Sequence, residues 1–192
     1  MLCTVVMDDC SVSAPLLDIK RRLVANGEPD RNKLHATTDS VPIREEVYAV
    51  LADASIAIDC TILEKTKAQP QTRKDEPTFY RYAWFYHFKS VGPRTCAQGK
   101  KTLITAAALG DKRKRGAFKD SVNSAVQQIV PRSQWELCFI ESSQDPCLWV
   151  ADYCAWAIQR KWERGEDVFY KKISHKIDTE FDLWRVGTRH FY

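Results

Sequence analysis

Apolar residues along this chain recur with two different periods, and segments of the two kinds alternate. Four short runs rich in β-branched and other apolar residues predict buried strands, at 2–7, 55–63, 102–107 and 135–140. Apolar residues three and four positions apart predict helices between and after them, at 15–26, 41–52, 77–89, 118–129, 146–163 and 167–183. Alternation of strands and helices is typical of an α/β protein, in which helices cover a mixed or parallel sheet.

Capping and breaking residues indicate where several of these helices begin and end. Ser40 is placed to cap the second helix, and Asp145 followed by Pro146 is a typical start for the fifth. The pair Gly92-Pro93 predicts the end of the third helix, because proline cannot donate the next backbone hydrogen bond.

Composition narrows the class of protein. A chain of 192 residues fits one domain, so we interpret 1–192 as a single domain with 165–192 as a C-terminal helical extension. Its 29 Lys and Arg against 25 Asp and Glu permit a polyanionic partner without requiring one. Seven scattered Cys with no metal-binding spacing predict buried, reduced thiols and a cytoplasmic protein. No apolar run is long enough for a transmembrane helix, so we expect no membrane association.

Asp152 is the single charged residue of the apolar run 148–158. On the predicted helix it shares a face with Leu148 and Ala155, and that face should meet the sheet. An ionised carboxylate in this position is costly unless a cation or a set of donors satisfies it. A Lys or Arg partner, a capping role for another segment, and a bound metal ion all meet this requirement.

Asp59 repeats the pattern on a predicted strand, where it alternates with isoleucines and lies on the same side as Ala57 and Thr61. It is either a solvent-facing or capping residue or a metal ligand. Two aspartates embedded in apolar elements are typical of sites that hold Mg²⁺ or Mn²⁺ for phosphodiester hydrolysis. Glu141, just past the fourth strand, is either a further ligand or a loop residue.

Basic residues cluster at Lys112-Arg113-Lys114-Arg115, between a predicted strand and a predicted helix. The backbone N–H groups of a helix N-terminus also attract anions, so the run predicts contact with nucleic-acid phosphates. A solvated turn is the alternative. His35, which follows a polar loop, is either a general base, a ligand or a hydrogen-bonded structural residue.

The run 146–163, PCLWVADYCAWAIQRKWE, resembles the C-terminal signature of the bacterial "domain of unknown function 3800" family. Shorter matches follow the same order at 34–37, 58–65, 82–89 and 189–192. The resemblance implies an RNase H-like mixed sheet flanked by helices, with Asp152 as the carboxylate of the last catalytic helix and Asp59 on a central strand. It implies a nuclease-like phosphodiesterase dependent on Mg²⁺ or Mn²⁺. The alternative on the same fold is a non-catalytic adaptor or nucleic-acid-binding subunit.

The sequence departs from the pattern of that family in two places. The family begins with a strand that carries an Asp-Glu-Ser motif, whereas this chain begins at what corresponds to the second strand. Many RNase H-like enzymes also have an acidic residue at the end of the fourth strand, where this chain offers only Asp111. We therefore expect an incomplete set of metal ligands. We also expect self-association or a protein partner at the open sheet edge beside residues 2–7.

Overall fold

The computed structural model describes residues 1–96, 101–108, 112–131 and 134–185. Its strands are β1 (Leu2–Val6), β2 (Ala57–Ile62), β3 (Thr102–Ala107), β4 (Trp135–Ile140) and β5 (Ile177–Asp182). Its α-helices are α1 (Ser13–Ala25), α2 (Val41–Asp53), α3 (Glu76–Thr95), α4 (Lys112–Gln127), α5 (Pro146–Arg164) and α6 (Val168–Ile173). The predicted α/β class is confirmed.

The described strands form two sheets. One has three strands in the order β1-β2-β5, and the other pairs β3 with β4 in parallel. In the parallel pair Thr102 lies opposite Trp135, and Ala107 lies opposite Ile140. Parallel neighbours cannot be joined by a tight turn, and α4 belongs to the crossover connection between them.

The described residues divide into two compact units. The first unit is 1–2, the described part of 60–140, and 180–185; the second unit is 3–59 and 141–179. The core of the first unit is formed by buried residues from α3, α4 and the β3–β4 region: Phe88, Cys96, Val122, Val126, Val130 and Trp135. In the second unit α1, α2, α5 and α6 contact one another and bury Leu16, Val47, Leu51, Val150, Cys154 and Ile158.

Helix α5, which carries Asp152, begins as the sequence predicts. The Asp145 carboxylate accepts a hydrogen bond from the backbone N–H of Cys147 at 2.8 Å, and Pro146 occupies the first helical position. Gly165 ends the helix with a left-handed φ of 70°, which favours glycine.

Helix α3 is longer than predicted. It continues through Gly92 and Pro93 to Thr95, so the prediction that this pair ends it is wrong. Pro93 lies in the last turn, and the N–H of Cys96 still reaches the Gly92 carbonyl at 2.8 Å. Gly92 suits this helix because a Cβ there would lie 2.8 Å from Cγ2 of Val130.

The segment 167–183 also differs from the prediction of one helix. Only Val168–Ile173 is α-helical; a short 3₁₀ turn follows, and then β5 joins β2 in the sheet. The predicted C-terminal extension is therefore part helix and part strand over its described residues. Ile177, Thr179 and Phe181 alternate with acidic residues, which is the two-residue period of a strand.

Candidate acid–base site

Two of the predicted site residues meet in the second unit: Asp152 on α5 and His35 in the loop before α2. Oδ2 of Asp152 lies 2.8 Å from Nδ1 of His35 and accepts a hydrogen bond from the Ala36 N–H at 2.9 Å. The two side chains are 34% and 35% exposed, so Asp152 is half-buried rather than enclosed. Asp152 therefore caps another segment, the loop before α2, which is one of the three alternatives given by the sequence.

The contact with Asp152 determines what the imidazole of His35 can do. With Nδ1–H donating to the carboxylate, Nε2 is left as the basic nitrogen. When Nε2 takes up a proton, the carboxylate stabilises the resulting imidazolium. His35 and Asp152 therefore have the arrangement of a general base and its orienting carboxylate.

Asp39 fixes the backbone that carries His35. Its side chain is buried, and it accepts hydrogen bonds from the His35 N–H at 2.9 Å, from Arg31 at 2.5 Å and from the Tyr153 hydroxyl. Burial, together with the neighbouring carboxylate, raises the pKa of Tyr153 well above its usual value. The tyrosine therefore stays a donor at neutral pH, and a single carboxylate ties the loop to α5.

Arg44 of α2 holds the same loop from the other side. It donates to the carbonyl of Ala36 at 2.7 Å and to that of Thr37 at 3.2 Å. Its guanidinium lies 4.6 Å from the ring centroid of Trp156, which follows Asp152 by about one helical turn. Helix α5 thus anchors the loop directly through Asp152 and, by way of Arg44, through Trp156.

His35 lines a surface cleft of about 550 Å³ in the second unit, and the loop between α1 and α2 provides every lining residue: Gly27, Glu28, Pro29, Asp30, Arg31, Asn32, Lys33, His35 and Thr38. The positive charges of Arg31 and Lys33 in this set balance the negative charges of Glu28 and Asp30. Arg31 is engaged by Glu28 and Asp39, whereas Nζ of Lys33 contacts the Ser142 hydroxyl at 3.0 Å. Lys33 and His35 therefore line the same cleft.

The other predicted carboxylates lie in different surroundings. Asp59 is buried in β2 and accepts a hydrogen bond from the Thr179 hydroxyl on β5, which excludes a solvent-facing role. Glu141 is exposed just after β4. Within the described ranges, no group of three or more His, Cys, Asp or Glu could hold a metal ion. Binding of Mg²⁺ or Mn²⁺ by Asp152, Asp59 or Glu141 stays a prediction.

Two further predictions concern the basic run Lys112 to Arg115 and Asp111. Helix α4 begins at Lys112, six residues earlier than predicted, so Lys112 to Arg115 form its first turn rather than a connection before it. Contact between these residues and phosphates stays a prediction. Asp111 lies outside the described residues.

Comparison with protein-family models, with curated proteins and with solved structures finds no match for this chain. The resemblance carried by 146–163 therefore stays a prediction. In the part of the chain that the structure describes, every helix is too short or too polar to cross a membrane.

Proposed function

We propose that this chain is a hydrolase of nucleic-acid phosphodiesters in which His35 is the general acid–base and Asp152 its positioning partner. The observation that carries the proposal is the 2.8 Å contact between His35 Nδ1 and Asp152 Oδ2 at the edge of an open cleft. The choice of phosphodiesters rests on the resemblance of 146–163 to a nuclease-like family.

In the proposed reaction Nε2 of His35 removes a proton from the attacking water as its oxygen bonds to phosphorus. The same nitrogen then returns a proton to the leaving oxygen as the phosphorus–oxygen bond breaks. Asp152 holds the ring in place and stabilises the imidazolium between these steps. General acid–base catalysis of this kind contributes a factor of about 10² to 10⁴ in rate.

Lys33 is the cation best placed to contact a phosphate oxygen in this cleft. It precedes His35 by two residues, and its ammonium group contacts the neutral hydroxyl of Ser142. Arg31 is less suited, because hydrogen bonds to Glu28 and Asp39 occupy its guanidinium. An ammonium group beside the reacting phosphate stabilises the charge that develops there.

The test is cleavage of end-labelled single-stranded RNA, single-stranded DNA and duplex DNA by the full chain. We expect His35→Ala to lower the cleavage rate by about 100-fold or more, and Asp152→Asn to lower it by a smaller factor. His175→Ala is the matched control, because His175 is exposed and lies in the 3₁₀ turn between α6 and β5. Equal rates for the wild type and His35→Ala would disprove the proposal.

Two further arms separate this proposal from the alternatives. Cleavage that persists in a chelator supports acid–base chemistry by His35. Cleavage that requires Mg²⁺ or Mn²⁺ and disappears in both Asp152→Asn and Asp59→Asn would favour the metal-dependent reading instead. Binding of labelled nucleic acid without cleavage, measured by fluorescence anisotropy, would favour the non-catalytic subunit.

A further inference from the structure

The cysteines of the chain are less uniform than the sequence predicts. Three are buried, but the other four are not: Cys3 and Cys147 are partly exposed, and Cys10 and Cys138 are exposed. The prediction that the thiols are generally buried is therefore wrong for these four. Two of them, Cys10 and Cys147, lie together in the second unit.

Cys10 lies in the turn between β1 and α1, and Cys147 is the second residue of α5. Ser13 links them: its N–H donates to the Cys10 carbonyl at 2.9 Å, and its hydroxyl lies 3.4 Å from the Cys147 sulfur. The Cys10 thiol is also close enough to Cys147 to raise its pKa. The shared contacts of Ser13 therefore bring together two cysteines from distant parts of the sequence.

The two thiols differ in accessibility. Cys10 is open to solvent, so a dissolved reagent meets it first. Burial raises the pKa of Cys147 to about 11, with Ser13 lowering it and Cys10 and Asp145 raising it further. The thiolate is the nucleophile in disulfide exchange, so Cys147 is the slower partner.

We propose that Cys10 and Cys147 form a modification site at which a low-molecular-weight disulfide such as oxidised glutathione produces an intramolecular disulfide. The Cys10 thiolate attacks one sulfur of oxidised glutathione, the sulfur–sulfur bond breaks, and one glutathione thiolate leaves. Cys147 then loses its proton to solvent and attacks the Cys10 sulfur, which releases the second glutathione thiolate. The two cysteines lose two electrons, oxidised glutathione gains them, and both glutathione thiolates take up protons.

The crosslink would join the β1–α1 turn to the N-terminus of α5. Asp152 follows Cys147 on that helix by about one and a half turns. The disulfide would therefore restrain the helix that carries the partner of His35. The proposal does not depend on the proposed hydrolase function, because it is read from the thiols alone.

The test treats the full-length protein with oxidised glutathione, alkylates the remaining thiols, and maps cysteine-containing peptides by mass spectrometry. We expect the wild type to lose two alkylatable thiols and two hydrogens in mass, with a crosslinked peptide pair that contains Cys10 and Cys147. The disulfide should also raise the Tm, because it restricts the unfolded chain.

Single variants identify the order of the steps. In Cys147→Ser we expect Cys10 to stop as a mixed disulfide with glutathione; in Cys10→Ser we expect Cys147 to stay alkylatable. Cys138→Ser is the matched control, because Cys138 is also exposed, and its crosslink should match that of the wild type. Glutathione retained on Cys10 of the wild type while Cys147 stays free, or a crosslink from Cys10 to another cysteine, would overturn the proposal.

Discussion

His35 and His87 make the same type of contact in different units and are suited to different tasks. His87 on α3 is fully buried, and its Nδ1 lies 2.8 Å from the hydroxyl of Thr61. The rings of Trp84 and Phe88 meet it edge-on. His35 places the same nitrogen at the same 2.8 Å from a carboxylate, and it lines an open cleft.

The difference lies in the partner and in the access to solvent. A hydroxyl can share a hydrogen bond with a neutral imidazole, but it carries no charge to stabilise the protonated ring. A carboxylate accepts a hydrogen bond from the neutral imidazole and also stabilises the protonated ring. The second ring nitrogen, when it is exposed, can reach a substrate. The contrast indicates that partner and access, rather than the presence of a histidine, distinguish a chemical site from a structural one.

Asp39 is expected to give the largest effect, because it holds the loop that exposes His35. Asp39→Asn keeps the shape of the side chain but removes the negative charge that pairs with the largely buried guanidinium of Arg31. We expect the free energy of unfolding to fall by about 3 kcal/mol, measured by urea denaturation. Asp18→Asn is the control, because the Asp18–Arg21 pair is exposed; it should change the value by less than about 0.5 kcal/mol. Equal effects of the two variants would show that the loop does not depend on Asp39.

His87→Ala tests the structural half of the comparison. The substitution leaves a cavity beside Phe88 and removes the partner of the Thr61 hydroxyl. We expect a loss of about 2 kcal/mol in the free energy of unfolding. The exposed His175→Ala variant should remain within about 0.5 kcal/mol of the wild type. A small effect of His87→Ala would mean that this core repacks around the missing ring.

His35→Ala is expected to be milder for stability, since the ring is partly exposed and makes one hydrogen bond with Asp152. We expect a loss of about 1 kcal/mol or less in the same urea experiment. If His35→Ala destabilises the protein as much as His87→Ala, His35 is a structural residue and the contrast between the two histidines fails.

The smallest expected effect is a pH dependence of the free energy of unfolding that comes from Cys147. The partly buried thiol of Cys147 contrasts with the exposed thiol of Cys10, as the buried His87 contrasts with the partly exposed His35. The pKa of Cys147 is raised from 9.0 to about 11 in the folded protein, so folding favours its protonated form. This contribution to stability is fully present below pH 9.0 and is lost as the pH rises through about 11. The difference in the free energy of unfolding between the wild type and Cys147→Ser should fall over that range. A difference that stays constant would contradict the raised pKa.

Local patterns were sufficient for most of the fold. The predicted bounds of β3 and β4 are those observed, and the start of α5 follows from Asp145 and Pro146. The prediction failed for β5, although Ile177, Thr179 and Phe181 alternate with acidic residues in the two-residue period of a strand. Pairing with β2 explains why this polar segment is extended, and no local signal identifies that partner.

The candidate site was predicted in part. Asp152 is visible in the sequence because it is a lone charge in an apolar run, and the sequence also offers His35 as a general base, a ligand or a structural residue. Asp39 was missed because it follows two threonines in a polar loop, where an aspartate is ordinarily exposed. Its burial comes from Arg31 and Tyr153, and only the folded chain brings these side chains together.

The way in which carboxylates hold the loop has a consequence for hydrogen exchange. The backbone amides of His35 and Ala36 belong to no helix or strand; they donate to the side chains of Asp39 and Asp152. Each amide can exchange its hydrogen with solvent when its carboxylate releases it, even while α5 stays folded. Deuterium uptake at these two amides therefore reports how often the loop opens, without any need for a substrate.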